Sequence, residues 1–337
     1  MAALPKAGKP LVENDAGSYL AWSGKNQPAL AGEKLGCGLL VLKPLGFALP
    51  HYADSGKFGY VLGGSAVVGV LPVGLDARER VVRLEAGDVI AMRAGEVTWW
   101  YNDTDGEDVT IVFMGDTAGA ASPGDISYFV LAGPMGVLGG LDAGLLATAS
   151  GLTSPEQAAT SFRSQPAVLL TRLSRKLQDV RPREHDRHGI VVNAARVPAD
   201  SSTGGAAAGT KIVTAAHLPV LGLLGFSVGL TPLDAGAAAV YVARGSGRVQ
   251  VAGAGGASTL LDAEAAAGSL LVVPRYAVAL VGVDAGGMEL VSLIKSPRPA
   301  MEQFTGKGSV IGGLTAEIVQ AALNVSPELV EQLRMTK

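Results

Sequence analysis

His51 and Lys57 stand six residues apart in a largely apolar stretch, and Thr98, Trp100 and Asn102 follow at a spacing of two. Alternate residues of an extended strand share a face, so the last three are expected to project together. An imidazole, an ammonium, a hydroxyl and an amide on one face describe a binding site for an anion or a carboxylate-bearing small molecule. A buried ammonium needs a negative partner, and such a ligand supplies one. Nucleophilic chemistry has less to work with. Cys37 opens an apolar run with no histidine near it in sequence, and a thiol so placed packs as a small hydrophobe. Gly253–Gly256 has the glycines of a phosphate loop but neither its lysine nor a following helix. His185 and His188 have a spacing found in metal pairs, yet they lie among Arg181, Arg183, Glu184, Asp186 and Arg187. A charge run of that density is expected to be a solvated connector.

The elements that must position these residues occur twice. The stretch from Tyr60 to Val70 returns as Tyr241 to Val251, and the same displacement carries Gly64 onto Gly245, Ser65 onto Ser246, Val68 onto Val249 and Gly87 onto Gly268. An offset held without a gap over this length marks an internal duplication. Each copy consists of short β-branched runs separated by Gly, Pro and Asp, the pattern of antiparallel strands and turns. Residues 58–70 and 239–251 are expected to form hairpins bent at Gly64 and Gly245. Many short strands per copy imply a barrel or jelly roll. Residues 218–242 are apolar enough to suggest a membrane span but are broken by Pro219, Gly222, Gly225, Gly229, Pro232, Asp234 and Gly236. A spanning helix needs about 20 continuous apolar residues, so barrel strands are expected there. After each copy the period becomes helical. Ser154 is placed to cap a helix that has Pro155 in its first turn, and Ser326 with Pro327 repeats the arrangement near the end of the chain. Apolar stripes on these arms must be buried against something. Residues 201–209 are of low complexity and read as a flexible loop.

The motifs that frame the site give the repeat an affiliation. Gly87, Arg93-Ala94-Gly95, Thr98 and Asn102 keep the spacing of the second cupin motif, and His51, Ala53, Lys57 and Gly64 keep that of the first. The chain resembles the cupins, specifically the two-domain legumin-type (11S-like) seed storage globulins of plants, over nearly its whole length. The resemblance implies an all-β fold of tandem double-stranded β-helix (jelly-roll) barrels, each followed by a short helical arm, and nutrient reservoir activity without catalysis. It also implies arms that interlock neighbouring subunits, hence a homotrimer or two trimers stacked as a hexamer. Metal-dependent members of the family place histidines and a carboxylate where His51, Ala53, Lys57 and Thr98 stand here. One imidazole, a methyl, an ammonium and a hydroxyl do not make a metal site, and no metal or other cofactor is expected. The second copy has Ala238, Ala279 and Val283 where the first has Lys57, Thr98 and Asn102, so its interior is expected to be packed and dry. The alternative function is small-molecule binding, or a metal-independent reaction, in the first barrel at His51, Lys57, Thr98, Trp100 and Asn102. Trp99 and Tyr101, on the other face of their strand, are expected to meet another subunit.

A chain of 337 residues suits about two domains. The expected division is an N-terminal barrel with its arm over 1–180, a connector and loop over 181–210, and a C-terminal barrel with its arm over 211–337. Apolar residues form 48 % of the chain and charged residues only 17 %, so some apolar surface is expected to be covered by other subunits. A formal charge of −3 gives no reason to invoke nucleic acid or an anionic membrane as partner. Cys37 is the single cysteine, which rules out an intrachain disulfide. The first 22 residues lack the profile of a signal peptide, so a cytoplasmic location is expected. The 5 Asn and 8 Gln are few for a storage globulin, a departure from the family's amide-rich composition.

Overall fold

The computed structural model describes residues 8–25, 27–74, 78–200, 209–233, 239–253, 259–274, 277–296, 314–323 and 325–335. The described residues divide into two compact units, one running to Asn193 and including Leu218–Leu224, the other formed by the rest of the chain from Ala194 onward. Residues 181–193 thus group with the N-terminal barrel.

In the first unit the strands are β1 (Lys9–Asn14), β2 (Gly17–Trp22), β3 (Leu35–Leu42), β4 (Gly46–Ala53), β5 (Gly56–Gly63), β6 (Ser65–Leu71), β7 (Arg80–Glu85), β8 (Asp88–Met92), β9 (Val97–Tyr101), β10 (Val109–Asp116), β11 (Tyr128–Val130), β12 (Leu170–Arg172) and β13 (Val191–Asn193). Helix α1 (Pro28–Glu33) lies between β2 and β3, and α2 (Ala143–Ser150) and α3 (Pro155–Arg163) form the arm. Ser154 accepts a hydrogen bond from Gln157 N at the start of α3, with Pro155 in the first turn, as its position predicts. One sheet runs β1-β2-β3-β10-β5-β8-β13 and the other β11-β4-β9-β6-β7, with β12 also on β4. Their facing sides enclose one apolar core, which includes Leu40, Leu42, Val61, Val68, Leu84, Ile90, Met92, Trp100, Ile111 and Phe113. This is a jelly-roll barrel.

The second unit contains β14 (Lys211–Val213), β15 (Ser227–Leu233), β16 (Ala239–Ala252), β17 (Thr259–Ala266), β18 (Leu270–Val272) and β19 (Val278–Ile294), then the arm helices α5 (Ala316–Leu323) and α6 (Pro327–Met335). Its strand order is β14-β15-β19-β16-β17, with β18 also on β16. Displaced by the repeat, β5 and β6 fall on β16, β7 on β17, β8 on β18, and β9 and β10 on β19. The two long strands change register where the first copy has separate strands, β16 between Val242 and Arg244 and again between Gly245 and Gly247. The core of this barrel is aliphatic, built on Val240, Val242, Val249, Val251, Leu271 and Leu290, with Ala279 and Val283 packed against it. Ala238 lies outside the described residues, as do residues 201–208 of the expected flexible loop.

Three expectations need correction. Residues 58–70 do not form a hairpin: β5 pairs with β10 and β8, whereas β6 pairs with β7 and β9. The chain crosses from one sheet to the other at Gly64, and in the second copy β16 continues through Gly245. The two glycines have φ of +78° and +77°, a left-handed geometry that favours glycine. A Cβ on Gly64 would stand 2.4 Å from Asp108 O, and one on Gly245 1.9 Å from Gly287 O. The second correction concerns 218–242, where Val220–Leu224 is a short helix, α4, and the strand begins only at Ser227. The third concerns the charged segment 178–188. Asp186 is buried, because it accepts from Val81 N and Arg183 Nε, and Arg187 pairs with the buried Asp88 at 2.9 Å. Internal pairing replaces solvation along that stretch, although His185 and His188 stay exposed.

Candidate functional site

The site residues come from strands on both sides of the first barrel. His51 sits near the end of β4 and Thr98 in β9 opposite it. Lys57 is the second residue of β5, and its side chain is turned inward and 4 % exposed. His51, Lys57 and Trp100 line a cavity of about 20 Å³ together with Tyr19, Phe113 and Tyr128. That volume suits one or two water-sized particles, since a water needs about 10–15 Å³.

Each polar group there has a definable state. His51 Nδ1 lies 2.7 Å from Leu49 O; a carbonyl only accepts, so Nδ1 carries the proton and Nε2 presents a lone pair. Burial, then the nearby Lys57 charge, push the imidazole pKa down to about 3. Burial likewise lowers the Lys57 pKa to about 7, with Asp54 acting weakly in the opposite sense. The ammonium lies 4.4 Å from the centre of the Tyr128 ring and 5.7 Å from that of Phe113, contacts of the cation–π kind. Among the described residues it has no hydrogen-bond or salt-bridge partner. Asp54 is occupied elsewhere, accepting from Ala121 N, Ser127 N and Ser55 Oγ. Tyr19 and Tyr128 share a short hydroxyl–hydroxyl hydrogen bond, and burial raises the pKa of both phenols.

Two of the five expected residues do not reach the cavity. Asn102 follows β9 and closes the next turn: Nδ2 donates to Leu42 O and Glu107 O, while Oδ1 accepts from Thr104 N and Oγ1. An amide with all of these partners has no capacity left for a ligand. Thr98 is buried but its hydroxyl receives Trp100 Nε1 at 3.3 Å. Tyr19 and Tyr128 were not foreseen, because β2 and the three-residue β11 bring them in from distant parts of the chain. Trp99 and Tyr101 face away from the cavity, as alternation requires. Tyr101 joins Val67 and Val81 in a cluster covered by Leu173 and Val180 of the same chain, in place of the expected contact with another subunit.

The residues present do not fit a metal. Around His51 stand an alanine methyl, an ammonium and a hydroxyl, and the ammonium would repel a cation. Among the described residues no three His, Cys, Asp or Glu side chains gather as a ligand group. Cys37 is buried in β3, and burial raises its thiol pKa well above the usual range, which leaves it a protonated core residue.

Two tandem jelly-roll barrels with helical arms, the first enclosing a lysine where a metal ligand would be needed, define a two-barrel cupin without the metal centre. The chain belongs to the cupin family, whose pattern it matches over residues 4–156 and 234–331. It is similar to cocosin 1 of Cocos nucifera, 24 % identical over 370 residues covering 88 % of this chain and 78 % of that protein. It is also similar to 11S globulin seed storage protein 2 of Sesamum indicum, at 21 % identity covering 97 % and 87 %. Among solved structures, coconut cocosin superposes with a TM-score of 0.86 at 23 % identity, covering 99 % of this chain and 95 % of that one. An 11S globulin from Wrightia tinctoria with an auxin binding site gives 0.83 at 22 %, covering 99 % and 93 %. The architecture is therefore that of a legumin-like bicupin.

Proposed function

We propose that this chain is a non-catalytic storage globulin, a nutrient reservoir that self-assembles through its helical arms. The observation that carries the reading is the first-barrel site, where family spacing is retained while Ala53, Lys57 and Thr98 replace the groups that would hold a metal. A barrel without metal or activated nucleophile is a scaffold, and the named relatives of this architecture are seed storage proteins. Self-association is supported by apolar side chains exposed on both arms, among them Leu141 just before α2, Leu145 on α2, and Ile318 and Leu323 on α5. Two like surfaces per chain favour a closed ring, and a trimer, or two trimers stacked as a hexamer, is the proposed form. A cytoplasmic location is proposed from the single buried thiol. Fractionation that placed the protein in a secretory compartment would overturn that part.

The reservoir role is tested by following abundance through filling and mobilisation of storage tissue. Accumulation to a major fraction of total protein, then loss on mobilisation, is the expected course. Low and constant abundance would overturn the role. The Wrightia tinctoria globulin has an auxin site, whereas the cavity beside Lys57 here is of about 20 Å³.

A further inference from the structure

The cavity beside Lys57 has a surplus of hydrogen-bond donors. The ammonium brings three N–H groups and, among the described residues, no acceptor is bonded to it. The hydroxyls of Tyr19 and Tyr128 share one hydrogen bond, so whichever donates, the second O–H proton has no acceptor there. His51 Nε2 offers a lone pair, since Nδ1 is tied to Leu49 O, and the two phenol oxygens offer the others, but none of these acceptors carries a negative charge. A neutral water donates as well as accepts and removes little of this surplus. An acceptor-only particle with one negative charge removes it and also balances the ammonium, whose burial without a counter-charge is costly. The space of about 20 Å³ is on the scale of a single small ion.

We propose that the first barrel holds one small monovalent anion, chloride in size, against the Lys57 ammonium and the uncommitted hydroxyl of the Tyr19–Tyr128 pair. Such an ion would fix the charge state of the barrel interior and make stability of this unit depend on the anion present. The inference goes beyond the storage role and does not rest on it.

The pH behaviour follows from the groups that face Lys57. His51, on β4, is held neutral down to about pH 3. Tyr19 on β2, Tyr128 on β11 and Cys37 on β3 are pushed upward by burial and stay protonated. Asp54 lies beyond β4, with its oxygens committed to the 121–127 loop and Ser55. Lys57 is thus the group that titrates in the neutral range, at about 7. Binding of the anion holds the lysine protonated, so affinity must fall as pH rises past that value.

Crystals of the full chain soaked in molar bromide and measured at the bromine absorption edge test the site. The expected result is an anomalous peak inside the first barrel in contact with Lys57 Nζ, absent from Lys57→Met. Should that variant not fold, wild-type melting temperature in bromide and in gluconate at equal ionic strength supplies an independent reading. Bromide is expected to raise it by about 2–4 °C near pH 6, with the gain gone near pH 9.5. Peaks confined to the outer surface, a barrel peak that persists in Lys57→Met, or a bromide gain unchanged across that pH range would each overturn the proposal.

Discussion

Burial lowers the pKa of both Lys57 and His51, and both leave a mark on stability against pH. For Lys57 the folded pKa is about 7 against an ordinary 10.5. Between those values the unfolded chain binds more protons, so stability rises with pH across this window and the penalty is complete below it. Replacing Lys57 by Met is expected to stabilise the protein by about 1–4 kcal/mol at pH 6 in halide-poor buffer, with the difference vanishing above about pH 10.5. Urea titrations at the two pH values measure it. For His51 the folded pKa is about 3 against 6.5, so stability present above pH 6.5 is lost as pH falls toward 3. His51→Asn keeps a donor for Leu49 O without the titration and is expected to flatten the acid limb of the stability curve. At this scale the sequence was partly legible. The spacing from His51 to Lys57 and the alternation along β9 pointed to His51, Lys57 and Trp100, which line the cavity, and to Thr98, which does not. It misjudged Asn102, because inward parity ends with β9 and local turn bonding takes over at the next residue. Tyr19 and Tyr128 were invisible because neither lies in a motif, and only the β2–β3 and β4–β11 pairings bring them to the cavity.

The crossings at Gly64 and Gly245 show what a strand pattern conceals. Alternation gives the same signal whether two runs fold back as a hairpin or pass from one sheet to another, and a left-handed glycine suits either. The repeat itself was legible, since Gly64 and Gly245, like Gly87 and Gly268, have nearly equal positive φ. Gly64→Ala and Gly245→Ala would each drive a methyl into a backbone carbonyl. Each is expected to lower stability by about 1–3 kcal/mol or more, whereas Gly63→Ala, with open space around its Cβ position, is expected to be mild. Thermal melts of the three variants decide it. Asn102→Ala removes the partner of Leu42 O, Glu107 O and Thr104 N at once. A loss of about 2–4 kcal/mol is expected, since buried groups left without partners carry their desolvation cost.

At the scale of the molecule, the oily composition and the duplication already pointed to two barrels and to contacts beyond the chain. Leu145 and Ile318 are exposed on the arms, where the proposed assembly would bury them. Light scattering is expected to return the mass of three or six chains, and Leu145→Glu with Ile318→Glu to return that of one. A wild-type monomer at micromolar concentration would contradict the assembly. The three tryptophans, Trp22, Trp99 and Trp100, lie in β2 and β9 of the first barrel. Since the second unit has none, indole emission is a private signal of the first unit, while far-ultraviolet circular dichroism sums over both. Denaturation followed by the two signals on one sample therefore measures whether the duplicated barrels melt as one cooperative block or as two independent ones.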